Sequence, residues 1–317
     1  MTVRIGPMTV LIAGSSGMAG SAIAREFKAQ GLEVICLNRA MVDLLDLEAT
    51  RKVIRQFSPT VVIDAAAKVG GIVANNSRPV EFLSQNLSIQ GNLMSAAHEA
   101  SVEKFIFLGS SCIYPRDCTQ PIKEEYLLTG PLEQTNSAYA IAKIAGIEMV
   151  NSYRKQYGHK WISLMPTNLY GPQDNYNLES SHVLPALIRR FIEARASNVE
   201  EVVLWGDGTP LREFLHVDDL AKAVFLATKS YDSDIHLNVG TGIEITITEL
   251  ATKVASLAGY QGKITWDRTK PTGTPRKVLD VSRIKSLGWS PSITLDDGIV
   301  STIQWYHQAV LRGEVRL

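Results

Sequence analysis

Near the start of the chain an apolar run, Thr9-Val10-Leu11-Ile12-Ala13, leads directly into Gly14-Ser15-Ser16-Gly17-Met18-Ala19-Gly20 and then into a helical pattern over residues 21–30. No other feature narrows the possible folds as much. A strand that turns over glycines into a helix aims the unpaired N–H groups of that helix at whatever lies beyond the strand. Glycines at three-residue spacing permit a tight turn and close backbone approach, an arrangement that suits a dinucleotide pyrophosphate. Gly14, Ser15, Ser16, Gly17, Met18 and Gly20 are therefore candidates to hold it. A bare glycine-rich turn uses the same letters, and the flanking strand and helix favour the ligand.

The pattern continues past the first turn. Strands are expected at 33–37, 60–65, 104–109 and 161–165, with helices at about 47–56, 80–99 and 139–157. Strands separated by helices need crossover connections, so the fold class is α/β with a doubly wound parallel (Rossmann) sheet. After residue 166 prolines and loops cluster, between Pro166 and Pro185 and again between Pro271 and Pro275. Segments 183–196 and 202–205 intervene, and 235–239 with 248–258 look like additions beside the main sheet. The expectation is a dinucleotide-binding domain over 1–166 plus interleaved later segments. A smaller C-terminal substrate-binding α/β lobe would occupy mainly 167–317.

Lys plus Arg equals Asp plus Glu at 32 each, so no global field draws the chain to nucleic acid or an anionic membrane. An anionic ligand must instead be met by locally placed cations. No apolar run reaches the roughly 18 residues of a membrane helix, and the first eight residues lack the apolar core of a signal peptide. Cys36, Cys112 and Cys118 form an odd set without metal-ligand spacing, so no metal is expected and the cytoplasm is the default compartment.

The end of the second strand usually carries a carboxylate when NAD is the ligand, to bind the ribose hydroxyl. Here the residues are Leu37-Asn38-Arg39. A guanidinium can pair with a 2′-phosphate that a carboxylate would repel, so Arg39 favours NADP. Asp46 has two readings, the adenine edge of the cofactor or the cap of the helix that follows.

Tyr139 and Lys143 stand four residues apart in a helical pattern and so share one face. A phenol ionises near pH 10, and an adjacent ammonium is expected to lower that value. Lys143 could also hold the cofactor ribose. Ser110 directly follows an apolar strand and could hydrogen-bond a carbonyl oxygen that Tyr139 protonates as hydride arrives.

Glycine loop, Ser110, Tyr139 and Lys143 together resemble the extended short-chain dehydrogenase/reductase family, whose members mostly act on nucleotide sugars. Longer segments are similar to the branch that epimerises and reduces GDP-linked 4-keto-6-deoxyhexoses: residues 65–72, 108–115, 165–172, 212–219 and 273–277. The resemblance covers nearly the whole chain after about residue 8. It implies GDP-4-keto-6-deoxy-D-mannose as substrate and NADPH as reductant. It also implies a homodimer joined through the helices near 80–99 and 139–157.

By the same resemblance Cys112 is a base and His182 an acid, and together they invert the two carbons flanking the C4 ketone. Without it, Cys112 reads equally well as a small buried apolar residue and His182 as a helix cap. Arg190, Arg212 and Lys277 resemble residues that hold the diphosphate and sugar, and Asn168 and Trp205 resemble pocket residues. One departure concerns the glycine loop, where Ser15 and Ser16 stand in the stretch that carries an arginine in relatives. Arg39 is then left to supply more of the preference for NADP. Rival activities are a sugar-nucleotide 4-epimerase, GDP-L-colitose synthase, whose substrate differs at C3, and a non-catalytic NADP-binding regulator.

Overall fold

The computed structural model describes residues 8–270 and 274–316. The start of the chain, Pro271 and the Gly273 of the last matched segment lie outside the described residues. The first half runs β1 (Thr9–Ala13), α1 (Met18–Ala29), β2 (Glu33–Leu37), α2 (Leu47–Phe57), β3 (Val61–Asp64), α3 (Ile72–Ser77), α4 (Pro79–Glu99), β4 (Lys104–Leu108), α5 (Ser137–Tyr157) and β5 (Ile162–Pro166). There follow β6 (Asn168–Tyr170), α6 (Val183–Ala196), β7 (Glu201–Trp205), β8 (Leu211–His216), α7 (Val217–Ser230), β9 (Leu237–Val239) and β10 (Glu244–Thr246). The chain ends with α8 (Ile247–Ala258), β11 (Lys263–Asp267), β12 (Arg276–Lys277), α9 (Ser282–Ser286) and α10 (Leu295–Arg312).

Six parallel strands in the order β2-β1-β3-β4-β5-β9 form the main sheet. The core strands read as continuous apolar runs because both faces are covered: Val10 to Ala13 and Val61 to Ile63 are all buried. Helices α1 and α7 pack on each other, and α4 packs on both α2 and α5. The α4–α5 contact is tied by Gln90, whose side-chain amide donates to the Ala142 carbonyl at 2.8 Å. The chain begins at β1, steps out to β2, then returns past β1 to β3. This reversal opens a crevice at the carboxyl ends of β1 and β3, where α/β sheets of this kind bind ligands.

Residues 237–239 do not stand beside the main sheet, as the sequence suggests, but close it. Leu237 pairs with Leu164 of β5, and Leu237, Asn238 and Val239 are fully buried, so this short strand needs core on both sides. The smaller lobe is built around β8, which pairs with β6, β10 and β12. Tyr170, Phe191, Phe214, Leu250 and Tyr306 pack there in a second core with α6, α8 and α10. Its helices carry clear local signals. A reciprocal Thr246–Glu249 capping box starts α8, and Gly259 with φ +73° ends it.

Glu213 of β8 is fully buried, and its carboxylate accepts the Gly242 N–H at 2.7 Å and the Leu279 N–H at 2.9 Å. Burial pushes this carboxyl above its ordinary range, while the two N–H donors hold it down. The cross-link fixes the segment that carries Lys277 against β8.

At Gly14 the backbone has φ +75°, and a Cβ there would lie 2.7 Å from the Ala65 carbonyl oxygen. Both the left-handed backbone and the contact exclude a side chain. Gly14→Ala is expected to lower stability by about 2 kcal/mol or more, seen as a shifted denaturation midpoint. An unchanged midpoint would show that β1 and β3 can separate freely.

Candidate active site

Most of the residues picked out in the sequence lie where the main strands end or on the lobe beside them. After β1, Gly17 occupies the N-cap of α1 without a side-chain hydrogen bond, and the first turn holds no acidic residue. Gly20 lies so close to the Gly14 carbonyl that a Cβ would overlap it. An uncapped helix start behind a glycine cradle is what a pyrophosphate requires. Ser15 is buried and its hydroxyl donates to the Leu37 carbonyl at 3.0 Å, locking the loop to the end of β2. Ser16 is exposed, and Met18 is the first residue of α1. Arg39 is exposed just past β2. Asp46 accepts the Ala49 N–H on Oδ1 at 3.0 Å and caps α2, a role compatible with an adenine contact through its other oxygen.

After β4, Ser110 begins a short turn and its hydroxyl accepts the Cys112 N–H at 3.2 Å. Tyr139, in the first turn of α5, faces Ser110. The phenol was expected to ionise more easily beside Lys143; the reverse holds. Burial pushes Tyr139 well above its ordinary value, the Cys112 sulfur adds to this, and the Ser110 hydroxyl opposes it. Lys143 is 3% exposed and spends its ammonium elsewhere, donating to the Leu108 carbonyl at 2.9 Å with its Nζ 6.0 Å from the Tyr139 ring centroid. Tyr139 is thus a protonated phenol beside a hydroxyl, suited to give a proton rather than take one.

The Lys277 ammonium lies 3.5 Å from the Cys112 sulfur. That contact was not foreseen, since the resemblance gives Lys277 to the substrate. A cation on the sulfur is the partner a thiolate needs. Arg212 comes to the same place from β8, where Cys112 and Glu133 both favour its charged form against burial. Its guanidinium also donates to the Leu211 carbonyl at 2.8 Å. Glu133, part of the wall around Cys112 and Lys277, is a carboxylate that sequence reasoning missed. Nothing in its local pattern marks it, because the chain fold alone brings it to the thiol.

His182 sits at the N-cap of α6, with its ring free of the capping bond. His182 is exposed at the surface, with enough protein around the imidazole to desolvate it in part. This desolvation, with the charge of Lys277, lowers its affinity for a proton. Asn168 donates from its side-chain amide to the Glu213 carbonyl at 2.8 Å, which orients its oxygen away from that bond. Arg190 and Trp205 stand apart from the sulfur. Arg190 lines a shallow hollow between α6 and β7 and donates to the Val203 carbonyl at 3.3 Å, and Trp205 is 54% exposed at the end of β7.

Known proteins share this fold. The NAD dependent epimerase/dehydratase family matches residues 10–240, which take in all of the main sheet except Thr9. The chain belongs to that family. Among its relatives, GDP-L-fucose synthase 1 of Arabidopsis thaliana is 52% identical over 94% of this chain and 92% of its own length. GDP-L-fucose synthase of Escherichia coli (strain K12) is 50% identical over 94% of this chain and 96% of its own. A GDP-L-fucose synthetase from Naegleria fowleri, solved bound to NADP, superposes with a TM-score of 0.89 at 26% identity, covering 98% of this chain and 96% of that one.

The Cys112–Lys277 contact stands beside the Ser110–Tyr139 pair, and the charge of Lys277 reaches His182 as well. Because Lys277 disfavours a charged imidazole, its removal should raise His182 toward the ordinary histidine value. The Lys277→Met protein, followed by histidine NMR titration, should show His182 protonating at higher pH than in the wild type. An unmoved titration would place Lys277 outside the field felt by His182.

Proposed function

We propose that the protein converts GDP-4-keto-6-deoxy-D-mannose to GDP-L-fucose, epimerising C3 and C5 and then reducing the C4 ketone with NADPH. The observation that carries this reading is a thiol with its own cation, placed beside a serine–tyrosine oxygen site. A simple reductase needs only the oxygen site. The names of the relatives at 50% identity and above point the same way.

A C4 ketone makes the protons on both C3 and C5 acidic, because removal of either leaves an enolate on the C4 oxygen. Ser110 and the protonated phenol of Tyr139 hold that oxygen. Cys112, with the Lys277 ammonium 3.5 Å from its sulfur, takes the proton, and His182 returns one from the opposite ring face. The substrate diphosphate brings negative charge to Lys277 and Arg212, which offsets the effect of Lys277 on His182 and lets the imidazole protonate. Arg190, Trp205 and Asn168 complete the grip on the nucleotide sugar. When bound, NADPH supplies hydride to C4. Tyr139 then gives its proton to the C4 oxygen, next to the Lys143 ammonium. The glycine cradle, the start of α1, Arg39 and Lys143 are the groups that hold the cofactor.

The larger core would then carry the cofactor and the smaller lobe the nucleotide sugar. Two copies are expected to pair through α4 and α5, whose outer faces leave Val80, Leu87 and Ile141 exposed. The described residues contain no helix long and apolar enough to cross a membrane. The cytoplasm is the compartment this reading assigns.

In heavy water, purified protein with this substrate and NADPH should place deuterium at both C3 and C5 while NADPH is consumed. The absence of both exchange and oxidation would sink the assignment, and deuterium at one carbon would favour a different sugar. Cys112→Ala should slow exchange by roughly 10²-fold or more with substrate binding kept. Tyr139→Phe should retain exchange better than it retains reduction.

A further inference from the structure

One ionisable group beneath the site has no part in the steps above. Asp64 ends β3, is 0% exposed, and accepts the Ala66 N–H on Oδ1 at 3.1 Å. Its Oδ2 has no hydrogen-bond partner among the described residues. A buried carboxylate oxygen left unpaired is costly unless a compensating charge stands nearby.

The sheet register shows where that charge is. Asp64 pairs with Phe107 across β3 and β4, so the two side chains leave the same face of the sheet. Lys143 Nζ lies 4.7 Å from the Phe107 ring centroid and donates to the carbonyl of the next residue, Leu108. Helix α5 presses onto this spot, since a Cβ on Gly146 would overlap the Phe107 ring. The ammonium therefore hangs over the residue directly beside Asp64. Lys143 is faced by Asp64 from β3, by the Phe107 ring and Leu108 carbonyl from β4, and by Tyr139 from its own helix. Among these described neighbours Asp64 is the one carboxylate.

We propose that Asp64 is a positioning residue for the reductive half of the reaction, holding Lys143 as an ammonium in a place from which water is excluded. The proposal rests on the roles given above to Tyr139 and Lys143. When Tyr139 gives its proton to the C4 oxygen, a phenolate remains, and a neutral amine beside it would leave that charge uncompensated. Asp64 does not touch the reacting atoms; it acts through Lys143.

The sign follows from the charges. Burial drives Lys143 toward the neutral amine and Asp64 opposes this, while burial also pushes Asp64 itself up to about 6. Above that pH the carboxylate is ionised and supports the ammonium. Without it, Lys143 loses its proton at lower pH, and the alkaline limb of the reduction moves to lower pH.

Asp64→Asn keeps the shape and removes the charge; Asp64→Leu also removes the unpaired oxygen, which guards against a misfolded first variant. The direct readout is NMR titration of Lys143 in cofactor-free protein carrying ¹³C at lysine Cε. Both variants should titrate at least one pH unit lower than wild type. The alkaline limb of NADPH oxidation should move the same way, while deuterium exchange at C3 and C5 stays within twofold. An unmoved Lys143 titration, or equal loss of exchange and reduction, would reduce Asp64 to a packing residue and overturn the proposal. Should the wild type neither exchange deuterium nor oxidise NADPH, the assigned reaction fails, and the Lys143 titration still decides the part played by Asp64.

Discussion

Where β1 and β3 end side by side, the chain has no room for a side chain at Gly14, and the rest of the site is arranged around that crowding. A parallel sheet sends all its strands out at one edge, and the reversal of strand order between β1 and β3 leaves a crevice there. Gly14 follows β1, Asp64 ends β3, Ser110 follows β4, and Asn168 comes two residues past β5. Four strand ends thus deliver a glycine turn, a buried carboxylate, a serine hydroxyl and a side-chain amide to one edge. The smaller lobe reaches the same edge through β12, which Glu213 holds in place.

A second constraint is electrostatic. Lys143 and Lys277 are cations partly or wholly withdrawn from water, and each stands against a group able to carry negative charge: Asp64 for Lys143, and the Cys112 sulfur for Lys277. Tyr139, held up chiefly by burial, stays protonated. In the proposed reaction the sulfur would then act as base and the phenol as acid, with the C4 carbonyl oxygen as the point they share. That sharing lets a single cleft both shuffle protons and accept hydride.

Much of this was legible in the sequence because it follows local rules. The apolar strand, glycines and helix at residues 9–30 are a short-range pattern, and Asp46 capped its helix as such residues do. The Tyr139–Lys143 spacing placed both on one helix face. Long-range facts were not legible. Leu237 to Val239 reads as a lobe strand until its pairing with Leu164 shows it closing the sheet. The Lys277–Cys112 contact joins residues 165 positions apart, and no periodicity encodes it. Glu133 was hidden for the same reason. Asp64 did leave a signal, a charge ending the otherwise apolar run Val61-Val62-Ile63, which reads as an ordinary strand end until Lys143 is seen beside it. The expected lowering of the Tyr139 phenol also failed, because burial outweighed a cation whose hydrogen bond points elsewhere.

The central claim is that one oxygen site serves both proton exchange and reduction. Ser110→Ala tests it most directly, with deuterium uptake at C3 and C5 and NADPH oxidation followed in the same sample. If Ser110 holds the C4 oxygen through both stages, the two rates fall together, each by at least about tenfold. Full deuterium uptake alongside crippled reduction would show that the enolate is stabilised elsewhere, and the shared site would be wrong.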